Sequence, residues 1–162
     1  MGSNTLSTLA WIYAYPTQKA VELITSYEST SGTSTFYLSL NNLFLQSNTM
    51  TLNFTILNNG NKYSSSGGII RPYTWYLVSG IYNGNTLQTY VNGQEESTYL
   101  YSSTVTNSLS SFNLGGYSNG VSALSGEIAD VSLYKTALNQ SQLYLLYRLG
   151  MPVSSEIKLP IK

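Results

Sequence analysis

Apolar and polar residues alternate with a period of two through much of this chain, which points to strands rather than helices. Met50, Leu52, Phe54 and Ile56 alternate with Thr51, Asn53 and Thr55, the pattern of a half-buried strand. Phe36, Leu38 and Leu40 alternate in the same way with Tyr37 and Ser39, and Asn41-Asn42 turns the chain into a short apolar run at 43–46. Residues 5–15 read as a strand stopped by Pro16, whose missing N–H cannot serve a central ladder. A second strand is predicted over 21–28. Residues 62–72, with Ser64-Ser65-Ser66-Gly67-Gly68, read as a surface loop. A polar connection over 102–111 leads to a short strand at 112–114. A further strand over 124–134 is expected to place Ala129, Val131 and Leu133 on one face.

Residues 75–93, WYLVSGIYNGNTLQTYVNG, organise the rest. Two apolar runs flank Asn83-Gly84, and Asn92-Gly93 opens a third, so the stretch reads as a β-meander. Trp75, Leu77 and Ile81 point one way and Tyr76, Val78 and Tyr82 the other. Neither face suits water, which places this strand centrally, between two layers. One helix stands out near the end. Asn139 is its predicted N-cap with Gln142 at N3, Leu138 and Leu143 form a hydrophobic staple, and Gly150 with Pro152 supplies the stop. It is expected on the rim of the sandwich.

These motifs carry a resemblance. The run Trp75, Val78, Tyr82-Asn83-Gly84, Leu87 and Tyr90-Val91-Asn92-Gly93 is similar to that of the laminin-G-like, concanavalin-A-like jelly rolls. Gly126-Glu127-Ile128-Ala129-Asp130-Val131, Tyr134 and Leu138-Asn139 match a second block of the same families, and Trp11 matches their first Trp-bearing strand. The resemblance implies an all-β fold: a sandwich of two antiparallel sheets with one short C-terminal helix. Residues 4–150 would form the domain, Met1-Gly2-Ser3 would be an expression leader, and 151–162 a tail. Related domains carry a strand before the one bearing Trp11. The tail is expected to fill that vacant edge, unless a partner chain or a preceding segment does; left open, the edge invites self-association.

Composition narrows function by exclusion. The 162 residues include no cysteine and no histidine, which removes disulfides, thiol nucleophiles and the commonest general base. Only 9% of residues are charged and the net charge is zero, so the basic footprint of a nucleic-acid binder is missing. No apolar run has the length needed for membrane insertion. Abundant Ser, Thr and Asn with 15 Tyr suit a surface that meets glycans or other proteins on a cell, in the extracellular space or on a virion.

Candidate chemistry is sparse. Hydrolases on the fold implied by the resemblance set two carboxylates on one strand, about 5–5.5 Å apart for retaining chemistry. Glu127 and Asp130, three residues apart, are expected on opposite strand faces, which argues against catalysis. Glu95 and Glu96 are adjacent and read as solvated charges. The resemblance also implies calcium as the one cofactor to consider, with Asp130, Glu127, Asn119 and Asn113 as oxygen donors, though no Asp-x-Asn-x-Asp loop is present. Aromatic and amide side chains in loops suit sugars: the ring covers the C–H face and the amide bonds hydroxyls. Tyr63 and Tyr73 flank the serine-glycine run, and Tyr117 with Asn119 sits before the Gly126 strand; these are the candidate ligand-binding residues. Asn53 and Asn139 begin N-glycosylation patterns. Three functions are therefore weighed: a recognition module for glycan or surface protein, an assembly domain of a fibre or virion, and a glycan-cleaving enzyme.

Overall fold

The computed structural model describes residues 5–29, 34–42, 48–104, 109–116 and 122–150. Among the described residues there are ten strands, β1 (Leu6–Ala14), β2 (Val21–Ser29), β3 (Ser34–Asn41), β4 (Met50–Asn58), β5 (Asn61–Ile70), β6 (Trp75–Tyr82), β7 (Thr86–Val91), β8 (Gln94–Leu100), β9 (Leu109–Leu114) and β10 (Gly126–Tyr134). One helix, α1 (Gln140–Gly150), follows. The strands pair into two five-stranded antiparallel sheets, ordered β10-β1-β6-β7-β8 and β5-β4-β3-β2-β9. This is the two-sheet, one-helix sandwich the sequence implies.

Alternation decides which residues meet between the sheets. Leu52, Phe54 and Ile56 of β4 join Leu38 and Leu40 of β3 and face Ala10, Ile12, Val78 and Tyr82 of the first sheet. Thr8 and Thr25 reach each other through their hydroxyls across the same layer, at 3.2 Å. On its other face the first sheet carries a second cluster of Leu9, Trp11, Leu77, Ile81, Tyr90 and Leu143. Strand β6 is thus central and buried on both sides, as its two apolar faces predict. The meander turns also match. Asn92 and Gly93 have φ of 52° and 77°, the left-handed pair of a two-residue hairpin. Asn83 Oδ1 accepts the N–H groups of Asn85 at 2.9 Å and Thr86 at 2.8 Å.

Helix α1 is capped as read: Gln142 N donates to Asn139 Oδ1 at 3.0 Å, and Asn139 N to Gln142 Oε1 at 2.9 Å. Its position differs. The helix lies across the outer face of the first sheet instead of the rim, and Tyr147 stacks on Trp11 with centroids 5.7 Å apart. A strand face bearing Leu9, Trp11, Leu77 and Ile81 needs a cover, and the stapled helix is that cover.

Two further readings are corrected. The expected loop over 62–72 is largely strand β5. Its small residues serve a seam where β5 meets β8: Ser65 Oγ donates to Ser97 O at 3.0 Å, and a Cβ at Gly67 would lie 2.7 Å from that of Ser97. In β10 the alternation breaks. Leu9 pairs with Ser132 and Trp11 with Ala129, so two residues, Asp130 and Val131, stand opposite Ala10. Asp130 takes φ 47°, the mark of a bulge. Ala129 therefore packs in the outer cluster and Val131 in the inner one. The edge strand expected over 151–162, the leader expected at Met1–Ser3 and the short run expected at 43–46 lie outside the described residues.

Candidate functional site

The outer face of the first sheet continues past the helix, and there Tyr13 and Trp75 are half-buried while Tyr15 and Tyr73 are exposed. Tyr13 and Tyr15 are two residues apart at the end of β1, so they share one face while Ala14 between them is buried inward. Register places Tyr13 beside Trp75 of β6 and beside Glu127 of β10. Arg71-Pro72-Tyr73-Thr74 joins β5 to β6. There Tyr73 N donates to Ala14 O at 2.9 Å and the residue adopts φ 63°. A bulky residue held at positive φ costs about 1–3 kcal/mol of strain. That hydrogen bond holds the ring against its neighbours.

The result is a cup of four rings. Tyr13 lies 5.5 Å from Trp75, 5.9 Å from Tyr15 and 6.4 Å from Tyr73, and Tyr15 lies 6.2 Å from Tyr73, centroid to centroid. The interplanar angles of these four pairs run from 46° to 84°, so none of the pairs is parallel. Tyr73 is 62% exposed and Tyr15 38%. Tyr15 OH donates to Glu127 Oε1 at 2.7 Å. That bond, then desolvation and the carboxylate's charge, raises the Tyr15 pKa above its ordinary value. Beyond Tyr73, Pro16, Asn48, Arg71 and Pro72 line a shallow pocket. Such an arrangement covers an apolar C–H face and offers an acceptor and donors around it.

Of the predicted residues, Tyr73 belongs to the cup. Tyr63 does not: it pairs with Ile56 on the inner side of β5 and packs on Tyr101 with centroids 4.3 Å apart. Tyr117 and Asn119 lie outside the described residues. Asn113 is in β9 on the second sheet, where its Nδ2 donates to Ser26 Oγ at 3.3 Å. Glu127 and Asp130 are on the first sheet, so these calcium candidates are divided between sheets. Among the described residues no three acidic, His or Cys side chains gather into a metal cluster. The bulge also overturns the expected opposition of Glu127 and Asp130. Asp130 lines a cleft with Trp11, Leu77 and Leu146, on the same outward side as the helix. Asn53, expected on an open polar face, is 5% exposed and its Nδ2 donates to Thr51 O at 3.1 Å, so the nitrogen a glycan would modify is engaged. Asn139 is the exposed helix cap.

Tyr13, Tyr15 and Trp75 were missed as site residues by sequence reasoning. The signal was the Tyr-x-Tyr spacing before Pro16, which fixes a shared face; the convergence on Trp75 and Glu127 needs the register.

Several solved structures share this fold. The heptameric pentraxin of Limulus polyphemus superposes with a TM-score of 0.67 at 19% identity, covering 89% of this chain and 70% of its own. The CBM40 domain of the Ruminococcus gnavus IT-sialidase, solved with α2,3-sialyllactose, gives 0.70 at 14% identity, over 89% and 83%. Domain 4 of the extracellular arabinanase AbnA of Geobacillus stearothermophilus, solved with arabinotriose, gives 0.63 at 20%, over 91% and 68%. At these identities the likeness establishes the fold. No curated protein matches in sequence. The family model of the concanavalin A-like lectin/glucanases superfamily matches residues 1–143, and the chain belongs to that superfamily.

Proposed function

We propose that this domain is a non-catalytic recognition module that binds glycan through the Tyr13, Tyr15, Tyr73 and Trp75 cup, as part of an extracellular, cell-surface or virion protein. The carrying observation is the open four-ring cluster, with a strained, exposed Tyr73 tied to it by its backbone. Exposed aromatic clusters with a fringe of polar groups mark binding sites. Two structures of the same fold were solved with sialyllactose and arabinotriose bound, which supports a sugar as ligand. Among the described residues Glu127 is the one carboxylate in contact with the cup, and hydrolysis calls for two.

The test is a glycan array probed with the wild-type domain and with Tyr73→Ala. Loss of the aromatic wall is expected to weaken binding about fivefold or more, from ring stacking of roughly 1 kcal/mol or more. Equal binding by both proteins overturns the reading. The assembly reading rests on the exposed Leu145 and Leu149 of α1. A concentration-dependent oligomer in sedimentation, dispersed by Leu149→Lys, would favour it.

A further inference from the structure

Resting on the glycan reading, we infer that the cup takes one terminal, uncharged sugar ring rather than the interior of a chain or an acidic sugar. A chain bound along its length is served by rings lying in one plane in series. Here the four ring pairs in contact are inclined by 46–84° and share Tyr13 or Tyr15 as common neighbours, so they offer no common plane for a chain and suit a single ring. The seat is preorganised. Tyr15 N donates to Ser125 O at 2.8 Å and Tyr73 N to Ala14 O at 2.9 Å, so both outer walls are fixed through their backbones before any ligand arrives. Pro16 after Tyr15 and Pro72 before Tyr73 stiffen the backbone beside both walls.

The charge order selects the sugar. Glu127 is the cross-strand neighbour of Tyr13 and is held by Tyr15 OH through Oε1; its Oε2 has no hydrogen-bond partner among the described residues. A carboxylate so placed accepts from sugar hydroxyls and repels a ligand carboxylate. Arg71 sits farther out, in the pocket beyond Tyr73. The anion borders the rings directly, at the edge strand and in contact with Tyr15, whereas the cation lies beyond Tyr73, so a hydroxyl-rich neutral ring fits and an acidic one does not.

Calorimetry with neutral mono- to tetrasaccharides of gluco-, xylo-, arabino- and galacto-series, and with 3′-sialyllactose beside lactose, decides this. For whichever series binds, affinity is expected to change by less than about threefold from disaccharide to tetrasaccharide, because further units touch nothing. Sialyllactose should bind no tighter than lactose. Glu127→Gln should weaken the neutral sugar about tenfold, since a charge-assisted acceptor becomes a neutral one. Affinity rising about tenfold or more with added units, or tighter sialyllactose binding lost in Arg71→Ala and kept in Glu127→Gln, overturns the inference while leaving glycan binding intact. If no saccharide binds the folded wild type, or binding survives Tyr73→Ala, the glycan reading itself fails.

Discussion

The two outward faces of this sandwich solve opposite problems. On the first sheet the outward residues are large: Leu9, Trp11, Leu77, Ile81 and Tyr90 under the helix, then Tyr13, Trp75 and Tyr73 beyond it. On the second sheet they are mostly short and polar. Asn113, Ser26, Tyr37, Thr55 and Ser64 stand in register across five strands, followed by Ser39, Asn53 and Ser66. Thr55 and Ser64 bond through their hydroxyls at 2.9 Å, and Lys62 Nζ lies 5.7 Å over the Tyr37 ring. Most of these side chains are themselves buried, and they satisfy one another through hydroxyls and amides; among the described residues no helix lies on them. The apolar face is covered by one. Part of the apolar face is left bare by α1, and this is the physical reason for proposing a ligand there.

The comparison breaks most visibly at Trp11. It is fully buried between the sheet and Tyr147, and a Cβ at Gly150 would stand 3.1 Å from its Nε1. Trp11→Ala should cost about 3–5 kcal/mol in urea unfolding, because the cavity opens under the whole cover. A cost below about 1 kcal/mol would mean the helix is not what this face depends on. A smaller effect is expected from the cap. Asn139→Ala removes the acceptor for Gln142 N and should cost about 1 kcal/mol, with lost helical signal in circular dichroism.

The bare patch should behave in the reverse sense. Tyr73→Asn retains φ 63° at lower strain, because Asn tolerates the left-handed region, and it gives up a ring that is mostly exposed. Stability is expected to rise by about 0.5–1 kcal/mol while binding is lost, a trade typical of sites that store strain. If Tyr73→Asn destabilises, the ring is structural and the contrast between covered and bare regions weakens. On the polar face, Thr55→Val should cost only about 0.5–1 kcal/mol, one neutral hydrogen bond, and urea midpoints for Thr55→Val beside Trp11→Ala measure the contrast directly.

How much of this was legible follows from range. Strand β4, the Asn92-Gly93 hairpin and the Asn139 cap are written in residues a few positions apart, so period and turn chemistry found them. Strand β5 was misread because its Ser-Gly run is chosen by contact with Ser97, more than thirty residues away. Asp130 was misplaced because alternation assumes an unbroken ladder, and the bulge is a property of the pairing with β1. The cup was half seen. Tyr73 was named, whereas Tyr13, Tyr15 and Trp75 join it only through cross-strand register.

The finest test concerns pH and asks whether the cover seals its face. Tyr90 is 4% exposed within the outer cluster. Burial first, then the charge of Glu95 and the 3.1 Å hydrogen bond to its Oε2, pushes the phenol pKa up to about 12 from 10.0. A raised pKa means that the folded state holds the proton more tightly than the unfolded chain. This contribution is fully present below pH 10 and is lost as pH rises through about 12. Wild type should therefore lose stability across that window more steeply than Tyr90→Phe, which has no proton there to release. Tyr27, whose pKa burial also raises, lies on the second sheet and serves as the control: Tyr27→Phe should leave the Tyr90 difference intact. Urea midpoints at pH 9, 10, 11 and 12, with bracketing set by these two pKa values, give the slopes. Equal slopes in wild type and Tyr90→Phe would show that water reaches the phenol, and that the helix shields less of this face than its packing implies.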